Sequence, residues 1–512
     1  MPDQQLGLQT LGQLKRAGYV VRSVKDEMRR NLIRKLRCRE PIFQGVLGYE
    51  QSVLPQIQNA ILARHDMILL GLRGQAKSRI IRMLPDLLDE YIPIIEDSEV
   101  NDNPFSPISK FGRERIREQG DDVPISWLHR SLRYAEKLAT PDTTIADLIG
   151  DIDPIKAAHH RLTYADEEVL HFGIIPRTNR GIFAINELPD LQPRIQVGLL
   201  NIMEEQDIQI RGFNVRFPLD VLMVFSANPE DYTNRGNIIT PLKDRIDSQI
   251  MTHYPRSIEV GIEITRQEAW QERGEDGQGD GVKVHVPHFF REIVEQLAFE
   301  ARKSEYIDQK SGVSARMTRA ALEDLISSAE RRAILNGEDE TTVRIGDLYF
   351  AEPAVTGKVE LVYEGEQEGP QNVARLLAGR AVKAIFGQYF PDPSDKKEGR
   401  NPYQPILDWF TRGNTVMLSP DMSFKEYAQA LDAVTGLREL VRRHTKASTP
   451  AEAATGMEFA LEALHQFSLV GKDVLEGQRR YSDMMGSVLS SLGELDDEDD
   501  PRDDDDFFER YG

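Results

Sequence analysis

The chain has 512 residues, 40% hydrophobic, with 63 Lys or Arg against 84 Asp or Glu and a formal net charge of −21. That length suits about three domains of roughly 150 residues, and that charge makes general nucleic-acid binding a poor match. Cys38 is the single cysteine, which excludes an internal disulfide and a cysteine-based zinc site and fits a reducing, cytoplasmic compartment; no apolar run approaches a membrane span or the core of a secretory signal.

In chain order, residues 15–39 hold ten Lys or Arg against Asp26 and Glu27, a local +8. They predict a basic helical arm over 1–40, a solvated helix resting on an acidic neighbour and preceding the core. From Pro41 to about Tyr254, short apolar runs alternate with helical patterns, which predicts an α/β domain with a mainly parallel sheet. The expected strands are 67–70, 92–95, 182–186, 221–227 and 249–252, and 209–217 reads as a hairpin turning near Gly212. Residues 256–350 read as mostly helical, interrupted by a Gly- and acid-rich connector at 274–281. Helical periodicity returns at 370–389 and 424–490, separated by a linker-like 391–405. After Gly493 the charge density predicts disorder: residues 494–512 hold eleven acids against Arg502 and Arg510, a local −9. The expected domains are the arm (1–40), a nucleotide-binding core (41–255), a helical lid (256–350), a helical C-terminal region with its linker (351–493) and the acidic tail (494–512).

The run Gly71-Leu72-Arg73-Gly74-Gln75-Ala76-Lys77-Ser78 lies between an apolar strand and a helical pattern at 79–91. That is the context of a phosphate-binding loop. Small residues let backbone N–H groups face the phosphates at a helix N-terminus. Lys77 reaches the β- and γ-phosphates of ATP, and the Ser78 hydroxyl binds Mg²⁺. Ala76 stands where a second glycine is usual; it is expected to lie in the helical region of φ/ψ, without strain, and to start the helix.

The buried strand 181–186 ends on Asn186-Glu187. Asn186 occupies the place where an aspartate usually orients the Mg²⁺ shell; it keeps an oxygen acceptor but carries no charge. Glu187 is placed to activate water as general base. Asn228, at the tip of the next strand, is placed to position the water and γ-phosphate. Arg245 is a candidate arginine finger for a neighbouring subunit, and Arg316, opening a later helix, is a second phosphate sensor. His159, His160 and His171 lie in polar surroundings without matching carboxylates and read as surface histidines.

In order and in sequence these motifs resemble the AAA+ ATPases, specifically the magnesium-chelatase ATPase-subunit branch (ChlI/BchI-like, MoxR-related). Ile42-Phe43-Gln44-Gly45-Val46-Leu47-Gly48-Tyr49-Glu50 looks like its adenine-contacting segment. Gly150-Asp151-Ile152-Asp153-Pro154, Phe172 to Gly181, Gly212 to Pro218 and Ser226-Ala227-Asn228-Pro229-Glu230 continue the match, and Ser311 to Arg316 resembles sensor 2. The resemblance covers about 40–350. It implies a P-loop AAA+ core followed by an α-helical lid, with the further helical C-terminal region of about 160 residues having no counterpart in the compact chelatase subunits. It also implies a homo-oligomeric ring, usually a hexamer, with ATP bound between subunits and Arg245 acting in trans. Residues 155–175 would fall near the branch's helix-2 insertion, facing the ring opening or a client. The branch further implies a separate partner with a von Willebrand A domain, since Asp392-Pro393-Ser394-Asp395-Lys396 lacks the second serine of a DxSxS metal motif. MCM helicases, in the same broad clade, share the AKS ending of the loop.

The expected function is ATP hydrolysis that remodels a partner protein or metal-insertion complex. A nucleic-acid motor or transcription regulator of the MCM or enhancer-binding type is the alternative. It lacks zinc cysteines and a GAFTGA string here. A nucleotide-binding scaffold with little hydrolysis is the third reading, motivated by Asn186.

Overall fold

The computed structural model describes residues 6–152, 169–205, 207–209, 216–229, 237–271, 273, 281–394, 401–475 and 477–484. Most of 155–175, including His159 and His160, the turn near Gly212, the connector at 274–280, Asp395 and Lys396, and the acidic tail lie outside these residues. The chain divides into two compact units, Met1–Tyr254 and Pro255–Gly512.

In the first unit the strands that frame the site are β1 (Met67–Leu70), β2 (Tyr91–Ile95), β3 (Ile125–His129), β4 (Tyr134–Leu138), β5 (Gly181–Asn186), β6 (Val221–Ala227) and β7 (Ser248–Met251), and Gly150–Ile152 with Leu170–Phe172 and Asp207–Gln209 with Arg216–Pro218 form two short antiparallel pairs. Five of them form one parallel sheet in the order β7-β1-β6-β5-β4. Every residue of β1, β5 and β6 is buried, as a parallel sheet covered on both faces requires. This is the α/β core with a mainly parallel sheet that the apolar runs predict. One expected strand is corrected. Residues 92–95 do form a strand, but β2 pairs antiparallel with β3, outside the parallel sheet. The fifth parallel strand is β4, and its sequence Tyr-Ala-Glu-Lys-Leu gives no apolar run because β4 is an edge strand and half exposed.

The basic arm is also corrected: it is part of the core. It folds as α1 (Leu11–Arg16) and α2 (Val24–Cys38). Val24, Met28 and Leu32, spaced four apart on one face of α2, are fully buried in the same cluster as Ile57, Ile61 and Leu69. On that face Glu27 receives both Nη groups of Arg133 at 2.8 Å, with both side chains buried. Two of the N-terminal N–H groups of α2 find side-chain acceptors: Asp220 takes that of Val24 at 3.0 Å, and the Ser23 cap takes that of Asp26. The helix after the phosphate loop, α4 in a chain where α3 is Val53–Ala63, spans Lys77–Met83 and ends earlier than the 79–91 pattern predicts. A 3₁₀ turn at Leu84–Leu87 carries Pro85 and leads into β2.

The second unit has one hydrophobic core, built on the helices His288–Ala301, Arg316–Asn336, Pro370–Tyr389 and Pro450–Gln466. The helical pattern expected to run through 490 stops at Gln466. Beyond it Gly471–Leu475 and Gln478–Ser482 form an antiparallel hairpin, and Val416–Leu418 adds a third strand. Gly477, at φ 78°, makes the turn. Alternation then points Arg479 and Tyr481 into the core. Two buried glutamates one helical turn apart receive this hairpin. Glu458 pairs with Arg479 at 2.6 Å and Glu462 with Lys472 at 2.7 Å. The hydroxyls of Tyr427, Tyr349 and Tyr481 donate to the same carboxylates. The expected linker is shorter than predicted, since a helix begins at Gln404.

Candidate functional site

Strands of a parallel sheet end on one edge, and that edge gathers the candidate residues. Gly71 follows β1 and donates its N–H to Ala227 O at 3.1 Å, so Asn228, next after β6, lies beside the start of the loop. Asn186 closes β5, one strand further along, and Glu187 follows it. The loop therefore faces the tips of β5 and β6, as a triphosphate site on this sheet requires.

Within the loop, Gly71 is dictated by packing: a Cβ there would lie 1.8 Å from Thr252 Oγ1 and 2.3 Å from Gln75 Oε1. Those two atoms lie 2.6 Å apart, and the one Thr252 hydroxyl proton goes to Gln75 Oε1 or to Leu70 O at 3.1 Å. Tyr49 donates its hydroxyl to Gln75 O at 3.0 Å or His253 O at 2.7 Å, and Tyr254 donates to Arg73 O at 3.0 Å. Burial pushes the Tyr49 hydroxyl up to about 12, so it remains a donor at neutral pH. Gly74 takes φ 76°. Lys77 is buried, and its ammonium donates to Leu72 O at 3.0 Å and to Gly71 O, which holds the charge inside the loop. Leu72 and Arg73 are half-buried loop members.

Ala76 departs from the expectation. Its φ of 57° and ψ of 15° are left-handed, and it caps α4 instead of joining it. For an L-residue that conformation costs about 1 kcal/mol. The usual glycine would adopt it freely. Ala76 is accommodated because its carbonyl still accepts the Ile80 N–H at 3.0 Å and opens the helix.

At the tip of β5 a polar chain crosses the sheet. Ser226 donates its hydroxyl to Asn186 Oδ1 at 3.0 Å, and Asn186 Nδ2 donates to Glu136 on β4. Glu136 also accepts from Arg82 Nε and Nη2 at 2.8 and 2.9 Å and from the Tyr134 hydroxyl at 2.9 Å. The Arg82 guanidinium holds the Glu136 carboxyl below its ordinary range. An ionised carboxylate only accepts, which fixes the Asn186 amide with nitrogen toward Glu136 and oxygen toward Ser226. Glu187 is a second left-handed residue, at φ 54°, with its N–H on Ser226 Oγ at 3.3 Å. Two strained non-glycine residues thus flank the site, as functional positions often show.

These residues fit a magnesium–triphosphate. Ser78 lies in the first turn of α4, partly exposed, and among the described residues its hydroxyl has no protein partner. Asn186 Oδ1 keeps one lone pair, and Glu136 adds a carboxylate behind it. Oxygen donors with an anion in the second layer suit Mg²⁺. Arg245 ends the helix Thr240–Arg245 and is held by Glu204, with Nε on its carboxylate at 2.9 Å. Arg316 opens the helix Arg316–Asn336 in the second unit, its N–H on Ser314 Oγ at 3.1 Å. His171 is exposed on a short strand, and among the described residues no cluster of three or more His, Cys, Asp or Glu could hold a metal.

No family model matches the chain. The magnesium-chelatase subunit ChlI of Guillardia theta is 28% identical over 230 residues, 44% of this chain and 61% of that protein. The chain is similar to magnesium-chelatase ATPase subunits. The 38 kDa magnesium-chelatase subunit of Cereibacter sphaeroides is 27% identical over 238 residues, 44% of this chain and 64% of that one. The chain thus spans about three fifths of the curated relatives that it matches first. Among solved structures, a complex between the magnesium-chelatase subunits BchI and BchD aligns with 64% of this chain and 99% of that chain, at 20% identity and TM-score 0.32.

Glu136, Arg82 and Thr252 are absent from the sequence-based site. Glu136 and Asn186 are fifty residues apart, and only the β4–β5 pairing brings them together.

Proposed function

We propose that the chain binds and hydrolyses ATP as a ring-forming AAA+ ATPase of magnesium-chelatase type. Its output is the remodelling of a partner protein or metal-insertion complex, with a separate von Willebrand A protein as the partner. The observation that carries this reading is the single edge shared by Lys77, Ser78, Asn186, Glu187 and Asn228. Lys77 and the loop N–H groups bind the β- and γ-phosphates. Glu187 accepts the proton of a water whose oxygen attacks the γ-phosphorus, and ADP leaves with the bridging oxygen. Asn228 orients that water. Ser78, with Asn186 behind it, would hold a Mg²⁺ ion, which would supply charge neutralisation at the phosphate oxygens. Arg245 of a neighbouring copy stabilises the transferring group, exchanging Glu204 for phosphate. Arg316 is the second candidate phosphate sensor.

Mixing two inactive variants tests the ring and the role in trans together. Rings of Glu187→Gln subunits alone and of Arg245→Ala subunits alone release little phosphate. In mixed rings some interfaces pair an intact Glu187 with an intact Arg245, and activity returns in part. Absence of any recovery on mixing, with assembly intact by sedimentation, contradicts a role for Arg245 in trans.

A further inference from the structure

A phosphate loop works by presenting backbone N–H groups to the anion, and a trans peptide points its N–H and its C=O in opposite directions. Each N–H turned toward the phosphates therefore sends a carbonyl to the far side of the loop, where it needs a donor. The group behind that carbonyl decides which way the peptide plane faces.

At the peptide between Arg73 and Gly74 the donor is Tyr254. Its hydroxyl donates to Arg73 O at 3.0 Å, and the peptide is trans. The bond holds the Gly74 N–H on the side away from Tyr254, and among the described residues that N–H has no protein acceptor. Chain geometry alone does not fix this plane. Gly74 sits at φ 76°, and glycine populates negative φ about as readily. Turning the plane over would carry Gly74 from one region to the other and set Arg73 O where the N–H had been.

Tyr254 is itself firmly mounted. Thr252 extends the pairing of β7 with β1 by one residue, its N–H on Leu70 O at 2.7 Å. His253 Nδ1 lies 2.8 Å from Tyr254 O, so it carries the ring proton, and Nε2 takes the hydroxyl of Ser52 at 2.8 Å. Ser52 precedes α3 directly. The Tyr49 ring packs edge-on against His253, with centroids 5.0 Å apart. We infer that Tyr254 is a positioning residue for the triphosphate: from this mount its hydroxyl keeps the 73–74 peptide turned so that the Gly74 N–H faces the phosphates. The inference rests on the ATP-binding reading above and adds the residue that prepares the loop before nucleotide arrives.

Tyr254→Phe removes the hydroxyl and keeps the ring. Competition against a fluorescent ADP analogue on the full-length protein measures the dissociation constants of ATP, ADP, AMP and inorganic tripolyphosphate. Losing one neutral hydrogen bond lowers the population of the binding-competent plane, so ATP, ADP and tripolyphosphate are expected to bind about 3–10-fold more weakly. AMP lacks the β- and γ-phosphates and is expected to change by less than about twofold. A hydroxyl that only satisfied a carbonyl would lower the melting temperature and leave the ratio of ADP to AMP affinity unmoved. Gly74→Ala, which disfavours the left-handed backbone, is expected to weaken the same three ligands. Adding Tyr254→Phe to it should weaken them no further, because both changes act on one peptide. The inference is overturned if Tyr254→Phe binds ADP and tripolyphosphate as the wild type does, if AMP loses as much as ADP, or if the two losses add in full. A wild type that binds neither ADP nor tripolyphosphate overturns the ATP-binding reading as well.

Discussion

Asn186 gives its side-chain amide to Glu136 on the neighbouring strand and takes the hydroxyl of Ser226 at 3.0 Å on its other side. The position that lost a charge thus stands beside one that carries it. Restoring the usual aspartate is therefore expected to harm this chain. Asn186→Asp removes the donor and sets two carboxylates against each other, at a cost of about 1–3 kcal/mol. Chemical denaturation of Asn186→Asp, Glu136→Gln and the double variant checks this. The double variant should recover most of the loss, because the carboxylate and its donor have only changed places. Additive losses contradict the pairing.

Glu136 also predicts a pH dependence. Its folded carboxyl is held below the ordinary value near 4.5, first by Arg82. A depressed carboxylate contributes stability that is full above the unfolded pKa and is lost as pH falls through the folded pKa. Stability is expected to decline as pH drops below about 4.5, and Glu136→Gln to flatten that decline. Urea midpoints from pH 6 to about 3 measure it.

In the second unit Glu295 has the opposite sign. It is buried and bonded to the Thr265 hydroxyl, and burial pushes it up to about 7 from 4.5. A raised carboxyl contributes stability below the unfolded pKa that is lost as pH rises through the folded one. The second unit is expected to weaken between about pH 4.5 and 7. Glu295→Gln, which keeps the shape and an acceptor, should remove that slope and raise stability at pH 8 by a few kcal/mol as an order of magnitude. Thermal unfolding of both proteins at pH 5 and pH 8 reads the difference; equal slopes refute it.

Ala76 predicts a gain. Its left-handed backbone favours glycine, whereas glycine loses more chain entropy on folding. Ala76→Gly is expected to stabilise the first unit by about 0.5–1 kcal/mol, read from denaturant midpoints, and to leave nucleotide affinity unchanged or tighter. A loss of stability contradicts the assigned backbone.

What the sequence made legible follows from how local each signal is. Met67–Leu70 and Val221–Ala227 are continuous apolar runs between turn residues, and both strands lie where those runs fall. Tyr134–Leu138 was invisible because an edge strand needs no such run. Lys77, Ser78 and Glu187 announced themselves by spacing. Glu136 did not, because its importance comes from the strand beside it. The φ of Ala76 was unreadable from residue type, since alanine ordinarily favours the right-handed helix. The 471–482 hairpin was hidden by the apolar periodicity of Pro450–Gln466 before it, although Gly477 marks its turn.

Phosphate release from Mg²⁺–ATP by the purified wild type and by Glu187→Gln is the most direct measure of the central claim. The account predicts steady turnover by the wild type and a loss of about 10²–10⁴-fold in the variant, with ATP affinity preserved because Lys77 and the loop are untouched. Equal rates in the two proteins, or no turnover above background in the wild type at saturating ATP, would contradict it.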